Sequence, residues 1–224
     1  MLHVSQFSKL SIFRDVPLAD LTDMARDVQV HRVPKGHIVV DRGESGSDVF
    51  LVMSGHLVGV LIAEDGKEVA YATIAENSVF GEMAALDGRP RSLTVQAATE
   101  CLIGRVSGPA FNRWIDASPM IARNLLHLLV DRTRRLNDRV FELVVHDVET
   151  RVRLMLVRMA MEEGALEPGA VIDPAPSHSV IASHVGANRE AVSRVMSRLT
   201  KSGVLESGRK RIALKDIEVL VAGL

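Results

Sequence analysis

The sequence predicts an α+β protein with three successive parts: a β-rich region, a long helix, and two short helices followed by a hairpin. Three observations predict this class. Short Val-, Ile- and Leu-rich runs alternate with turn residues over 28–107, a helical apolar period follows over 109–145, and a glycine separates two helical segments within 177–200. With 224 residues, 47% of them hydrophobic, the chain can bury a sizeable core or two smaller ones.

The β-rich region consists of short strands. Apolar runs at 37–40 (HIVV), 49–53 (VFLVM) and 57–62 (LVGVLI) are separated by turn signals such as PKG at 34–36 and GESG at 43–46. Turns spaced about 8 to 12 residues apart are typical of an antiparallel sandwich or barrel. Asp65-Gly66 predicts a tight hairpin turn. We place this first domain at residues 1–108.

The helical region carries a heptad pattern and forms the second predicted domain, residues 109–146. Two interleaved series recur every seven residues: Leu126, Thr133 and Val140, and Leu129, Leu136 and Leu143. Charged residues flank this narrow stripe, which favours a homodimer seam through residues 121–145 over packing within the helix's own domain. A second helix over 148–163 and a Pro- and Gly-containing connector over 164–176 begin the third domain, residues 147–224.

Charge is distributed unevenly along the chain. The net charge of −1 conceals a net +6 over residues 177–215 and a net −7 over the remainder. Such asymmetry indicates a segment that faces nucleic acid, attached to a more acidic partner domain.

The basic segment has the pattern of a helix-turn-helix. Ser177 and Asn188 are suitable N-caps for two helices, and Gly186 is suited to end the first of them. The inner face of the second helix is apolar, formed by Val192, Val195, Met196 and Leu199. Its opposite face carries four polar residues within an arc of about 140°: Arg189, Glu190, Ser193 and Arg194.

These polar residues have the chemistry of base recognition. Arg189 and Arg194 can each donate two hydrogen bonds to guanine, and Glu190 can accept one from cytosine. Downstream, two short apolar runs flank Arg209-Lys210, which predicts a β-hairpin with a basic tip placed to contact phosphates. The pattern therefore predicts a winged helix-turn-helix that binds double-stranded DNA.

Residues 177–194 (SHSVIASHVGANREAVSR) resemble the helix-turn-helix signature of the CRP/FNR family, bacterial regulators related to the cyclic AMP receptor protein. The resemblance covers essentially the whole chain. It implies an N-terminal antiparallel β-roll of jelly-roll type, a dimerisation helix, and RNA polymerase as a partner. It implies DNA contacts at Ser177, His178, Arg189, Glu190, Ser193, Arg194, Arg209 and Lys210.

Residues 80–92 (FGEMAALDGRPRS) resemble the family's phosphate-binding cassette. Taken alone, these residues are also compatible with a surface loop in which Glu82 pairs with Arg91. As an anion site, Gly81 would allow close backbone approach and Arg91 would clamp a phosphate oxygen. Glu82 would suit a ribose 2′-hydroxyl. The resemblance implies a cyclic-nucleotide site formed by Gly81, Glu82, Met83, Arg91 and Ser92.

The resemblance also implies that a nucleotide contacts the long helix. We expect Asn137 to reach the adenine across the dimer, and cyclic AMP to be the effector. Leu136 departs from the pattern, because cyclic-AMP-specific members often have threonine there and leucine cannot hydrogen-bond the base. The alternatives are a regulator of this fold that binds DNA without a ligand or senses another ligand, such as cyclic di-GMP, and a cyclic-nucleotide-binding regulatory subunit of a protein partner.

Other classes of function lack their signatures. The eight histidines show no metal-ligand spacing, Cys101 is the single cysteine, and no Walker A, GxGxxG or GxSxG motif is present. We therefore expect no enzymatic activity, no catalytic cofactor and no metal site. The absence of a membrane-length apolar run and of a signal-peptide pattern predicts a cytoplasmic protein without membrane contact.

Overall fold

The computed structural model describes residues 7–62, 68–162, 164, 167–222 and 224. The predicted turn at Asp65-Gly66 lies outside the described residues, as does Glu163 at the end of the predicted second helix. The chain divides into two compact units, Met1–Arg134 and Arg135–Leu224. The domain limits expected at residues 108 and 146 stay predictions.

In its described residues, the first unit contains two four-stranded antiparallel sheets. Its strands are β1 (Gln29–Val33), β2 (Ile38–Val40), β3 (Val49–Ser54), β4 (Leu57–Ile62), β5 (Glu68–Ile74), β6 (Val79–Phe80), β7 (Thr94–Ala97) and β8 (Cys101–Val106). The sheet orders are β1-β8-β3-β6 and β2-β7-β4-β5. Residues of both sheets, including Phe50, Leu57, Val95 and Ile103, share one buried core. The predicted antiparallel β fold is confirmed.

Helices in the described part of the first unit complete it, and the last of them leads out of it. They are α1 (Leu18–Met24), α2 (Glu82–Asp87), α3 (Gly108–Ala117) and α4 (Pro119–Val145), with 3-10 turns at Ser11–Phe13 and Ala25–Asp27. Phe7 stacks on Phe13 with ring centroids 4.1 Å apart, and the rings of Phe7 and Trp114 form a T-shaped contact. This second core also includes Phe111 and Ile121, so α3 and the start of α4 belong to the packing of the β-rich unit.

The prediction of one uninterrupted helix over 109–145 is wrong. Ser118 separates α3 from α4 with an extended backbone, φ −129° and ψ 104°. Pro119 explains the break, because its ring disfavours the helical conformation in the preceding residue. Helix α3 begins where the Ser107 hydroxyl accepts a hydrogen bond from the Ala110 amide at 3.4 Å.

The second unit is a helical domain with a small sheet. It contains the end of α4, then α5 (Val148–Glu162), β9 (Val171–Ile172), α6 (His178–Val185), α7 (Arg189–Lys201), β10 (Leu205–Gly208), β11 (Arg211–Leu214) and α8 (Ile217–Val221). The sheet order is β10-β11-β9, so residues expected to be a loop supply a third strand. Val152, Leu156, Ile181 and Val192 are buried together in its core. The predicted winged helix-turn-helix is confirmed.

Candidate ligand-binding and DNA-binding sites

Gly81 forms the turn between β6 and α2. Its φ of 84° favours glycine. A Cβ at this position would lie 2.7 Å from the Asp48 carbonyl oxygen and 2.9 Å from Nη1 of Arg91. The residue therefore has to be glycine for both reasons, and the backbone of this turn lies directly against the Arg91 guanidinium.

Arg91 is an almost buried cation beside that turn. Arg91 is only 7% exposed, and its Nη1 donates to the Gly81 carbonyl oxygen at 3.1 Å. The guanidinium carbon lies 5.7 Å from the centroid of the Phe50 ring. Burial lowers the pKa of Arg91, while the carboxylates of Asp48, Glu44 and Glu82 oppose that shift. A desolvated guanidinium interacts strongly with an anion that reaches it.

Glu82 is buried, and only one of its carboxylate oxygens is paired. The residue is 1% exposed, and Oε1 accepts from Nη1 of Arg132 at 2.5 Å. Arg132 also donates to the Val79 carbonyl oxygen. Within the described part of the chain, Oε2 has no hydrogen-bond partner. The alternative in which Glu82 pairs with Arg91 is wrong: Glu82 pairs with Arg132, and an unsatisfied acceptor remains.

The other predicted cassette residues are more exposed. Met83 is 51% exposed, and the Ser92 hydroxyl lies 3.9 Å from its Sδ atom. The structure thus brings Gly81, Glu82 and Arg91 together, with Met83 and Ser92 beside each other. Asn137 is exposed on α4 and belongs to the second compact unit.

Arg132 was not predicted as part of the cassette. The sequence pattern placed it only among the charges that flank the heptad stripe. One signal could have identified Arg132. Residues four apart lie on the same helix face, and Arg132 lies four residues before Leu136, which was expected near the base. Its partner Glu82 lies 50 residues away in sequence, and no local pattern indicates that pairing.

The helix-turn-helix has the local geometry that its sequence predicts. The Ser177 hydroxyl accepts from the Val180 amide at 3.3 Å, and Asn188 Oδ1 accepts from the Ala191 amide at 2.8 Å. Gly186 ends α6 in the left-handed conformation with φ 65°. Both predicted N-caps and the predicted glycine C-cap are confirmed.

The outer face of α7 presents the predicted polar residues. Arg189, Glu190 and Arg194 are exposed, whereas Ser193 is half-buried. Nδ1 of His178 on α6 lies 2.9 Å from Oγ of Ser193, so these two candidate DNA contacts touch each other across the two helices. The apolar inner face, Val192, Val195, Met196 and Leu199, is buried as predicted.

The wing has a two-residue basic turn. Gly208 of β10 pairs with Arg211 of β11, which leaves Arg209 and Lys210 at the exposed tip. Lys210 adopts φ 56°, and its carbonyl oxygen accepts from the Ala175 amide at 2.8 Å. A hydrogen bond therefore ties the tip to the connector that precedes α6.

Two other cations of this basic segment are engaged in ion pairs. Arg198 lies 2.6 Å from Glu149, and Lys215 lies 2.7 Å from Glu206. The hydrogen bond and charge of Lys215 hold the pKa of Glu206 below its ordinary value. Arg198 and Lys215 thus differ from the predicted DNA contacts, because each is already paired with a carboxylate.

The heptad stripe on α4 is largely exposed. Leu126 is 63% exposed and Val140 is 52% exposed, and Leu136 and Leu143 are also exposed. Ile121 and Leu125, by contrast, are buried in the core of the first unit. Leu129 of the stripe is partly buried and packs against the same core. The exposed positions of the stripe are therefore Leu126, Thr133, Leu136, Val140 and Leu143.

Two further findings concern the described residues only. None of their helices is both long enough and apolar enough to cross a bilayer. No three His, Cys, Asp or Glu side chains in these ranges are grouped so that they could hold a metal ion.

Two family models match the chain. The model of the cyclic nucleotide-binding domain matches residues 30–118. The model of the Crp-like helix-turn-helix domain matches residues 150–222. The first range contains the cassette around Gly81 and Arg91, and the second contains α6, α7 and the wing.

Relatives and solved structures agree with these matches. A CRP-like cAMP-activated global transcriptional regulator of Mycobacterium tuberculosis is 28% identical over 214 residues, covering 95% of this chain and 96% of that protein. The cAMP-activated global transcriptional regulator CRP of Salmonella typhimurium is 23% identical, covering 83% and 89%. The c-di-GMP-responsive global regulator CLP of Xanthomonas campestris has a similar fold, with a TM-score of 0.80 at 20% identity, covering 89% and 100%.

Proposed function

Because the chain belongs to the CRP/FNR family of transcriptional regulators, we propose that it is a homodimer whose binding to palindromic DNA is controlled by a cyclic nucleotide. The regulator has a cyclic nucleotide-binding domain and a Crp-like DNA-binding domain. The proposal adds the ligand, the DNA sequence and the oligomeric state.

The unpaired oxygen of Glu82 is the observation that carries the ligand proposal. A buried acceptor without a partner costs free energy unless a ligand supplies a donor. Arg91 provides a desolvated cation in the same cassette. A ribose 2′-hydroxyl donating to Oε2 of Glu82 and a cyclic phosphate held by Arg91 and Ser92 would satisfy both groups. Gly81 and Met83 complete the proposed site.

Cyclic AMP is the ligand we propose first. Two cAMP-activated regulators resemble this chain over at least 83% of its length. Asn137 of the partner subunit is the proposed contact to the adenine, because Asn137 lies beside Leu136, which the heptad pattern places on the dimer seam. For the ligand to control DNA binding, it must bind the DNA-competent arrangement more tightly than the other.

The exposed face of α7 supports a specific DNA sequence. Arg189, Glu190 and Arg194 occupy the positions that read bases in the resembling family, so we propose a TGTGA–TCACA-type palindrome. Ser177, His178 and Ser193 would add contacts near the start of the two helices, and Arg209 and Lys210 would contact phosphates. A two-fold dimer requires half-site centres about one DNA turn apart, or a multiple of that.

The exposed stripe on α4 supports the homodimer. Four apolar side chains at heptad spacing are at least 41% exposed in the single chain. A second copy would cover the same stripe by two-fold symmetry. RNA polymerase as a partner, a cytoplasmic location and the lack of enzymatic activity belong to the same proposal.

Cyclic di-GMP control is the second candidate. A regulator named as c-di-GMP-responsive shares the fold. Leu136 also removes the hydrogen-bonding side chain expected beside an adenine. Calorimetry with cyclic AMP, cyclic GMP and cyclic di-GMP, on the wild type and on Arg91→Ala, separates the ligands and the ligand-free alternative.

A DNA shift assay tests the proposal as a whole. The probe is a TGTGA–TCACA duplex, with a scrambled duplex as the control, and each is titrated with and without cyclic AMP. We expect cyclic AMP to increase affinity for the palindrome alone. Equal binding to both duplexes would contradict the sequence assignment. If the protein shows no salt-dependent binding to either duplex, the result would favour a regulatory subunit that acts on a protein partner.

A further inference from the structure

The loop between β2 and β3 holds the backbone of Arg91 on both sides. The Arg91 amide donates to the Glu44 carbonyl oxygen at 2.9 Å, and the Gly43 amide donates to the Arg91 carbonyl oxygen at 2.9 Å. A Cβ on Gly46 in the same loop would lie 3.6 Å from Nη2 of Arg91. The loop therefore contacts the backbone and the guanidinium of the proposed phosphate clamp.

A partly buried hydrogen bond holds the start of this loop against β7. The Thr94 hydroxyl donates to Oδ1 of Asp41 at 2.5 Å and accepts from the Arg42 amide at 3.1 Å. The same Asp41 oxygen accepts from the Arg42 amide at 2.9 Å. Thr94 is 3% exposed. A neutral donor to a carboxylate makes a charge-assisted bond, which is stronger than a bond between neutral groups.

We propose that Asp41 and Thr94 are positioning residues for Arg91, and through it set the affinity for the phosphate of the ligand. In sequence, Thr94 lies three residues after Arg91, and Asp41 lies two residues before Gly43. The Asp41–Thr94 hydrogen bond therefore closes a short loop of chain next to the two backbone hydrogen bonds of Arg91. The ligand part of this inference rests on the proposed function. Neither residue touches the ligand in this mechanism; a small displacement of the clamp weakens binding.

The decisive variant is Thr94→Val, which keeps the shape of the side chain and removes the hydroxyl. We expect the affinity for cyclic AMP in calorimetry to fall about three- to tenfold, the effect of one lost hydrogen bond. Thr94→Ser restores the hydroxyl and should restore the affinity. Asp41→Asn keeps an oxygen acceptor without the charge, and its affinity for cyclic AMP should lie between those of the wild type and Thr94→Val.

Thr99→Val is the matched control. The Thr99 hydroxyl also accepts a backbone amide hydrogen bond, from His56 at 3.1 Å, but it holds the β3–β4 turn. We expect this variant to bind cyclic AMP like the wild type. A loss of affinity in Thr99→Val equal to that in Thr94→Val would overturn the inference, because the effect would then be general to the β-rich unit.

A second measurement does not need a ligand. Amide hydrogen exchange of the full-length protein should speed up at Gly43 and Arg91 in Thr94→Val and in Asp41→Asn, but not in Thr99→Val. Unchanged exchange at both amides, or unchanged cyclic AMP affinity in Thr94→Val, overturns the inference. If the wild type binds none of the three cyclic nucleotides, the proposed function fails, while faster exchange at Gly43 and Arg91 still supports the positioning of Arg91.

Discussion

Arg132 donates to one carboxylate oxygen of Glu82 at 2.5 Å, and the other oxygen of that buried carboxylate has no partner in the described structure. The bond joins the start of α2 to the long helix α4 within the first unit. It compensates part of the cost of burying Glu82. Arg132 of α4 therefore stabilises a buried residue of the cassette.

Removing Arg132 should destabilise the first unit. Arg132→Ala leaves the Glu82 carboxylate buried without its cation, and we expect a loss of about 1–3 kcal/mol in the free energy of unfolding, since the Arg132 end of the pair is partly solvated. Urea denaturation measures this. Arg134→Ala, two residues along the same helix at an exposed position, is the control. An Arg132→Ala loss no larger than that of Arg134→Ala would mean that the ion pair contributes nothing.

Arg189 should carry base discrimination. Arg189→Ala should weaken binding to the cognate palindrome by about 1–3 kcal/mol and relax the preference at one guanine. Competition binding with single-base variants of the palindrome measures both effects. Arg198→Ala is the matched control on the same helix, because Arg198 pairs with Glu149. An equal loss on all sequences in Arg189→Ala would identify a phosphate contact instead.

The wing should contribute affinity without sequence preference. Arg209→Ala and Lys210→Asn should each reduce the steepness of log affinity against log salt by about two units, one for each subunit of the homodimer, and weaken binding to all duplexes alike. Asn tolerates the left-handed φ of Lys210, so the turn should persist. Lys215→Ala, which removes a cation paired with Glu206, should leave the slope unchanged. A base-specific loss in either tip variant would contradict the assignment to phosphates.

The exposed stripe on α4 should be the dimer contact. Val140→Glu places a charge on the apolar stripe of the proposed seam and should shift the protein toward the monomer in sedimentation equilibrium. Asp138→Ser lies two residues away at an exposed position and should leave the oligomeric state unchanged. A wild type that is monomeric at micromolar concentration would refute the homodimer.

Asp147 should stabilise the second unit in a pH-dependent way. Its Oδ1 accepts from the Thr150 amide at 2.8 Å, and the hydrogen bonds of Thr150 lower the pKa of Asp147. A lowered carboxyl pKa means that the stabilisation is fully present above the ordinary pKa, about 3.9, and is lost as pH falls through the folded-state value. Asp147→Ala should cost about 1 kcal/mol near neutral pH. The difference from the wild type should shrink on acidification; a constant difference from pH 7 to 2 would refute the charge contribution.

Local patterns were sufficient for much of the fold. The alternation of apolar runs and turns predicted the antiparallel sheets, and the caps Ser177 and Asn188 with Gly186 predicted the helix-turn-helix to within a residue. These features depend on neighbouring residues, whose spacing a sequence displays directly. Pro119 is also a local signal, because proline disfavours a helical conformation in the residue before it. The helical apolar period on both sides of Pro119 nevertheless led to the prediction of one continuous helix.

The residues that hold the candidate ligand site together are far apart in the chain. The sequence by itself determined the two domain types and the polar face of α7, and its resemblance to the family's cassette predicted that Gly81, Glu82 and Arg91 form one candidate site. Only the tertiary structure decided that Glu82 pairs with Arg132 rather than Arg91, and that Asp41 reaches Thr94 across 53 residues. Such partners are chosen by sheet register and helix packing, because a buried charge takes whichever opposite charge the folded chain brings within hydrogen-bonding distance.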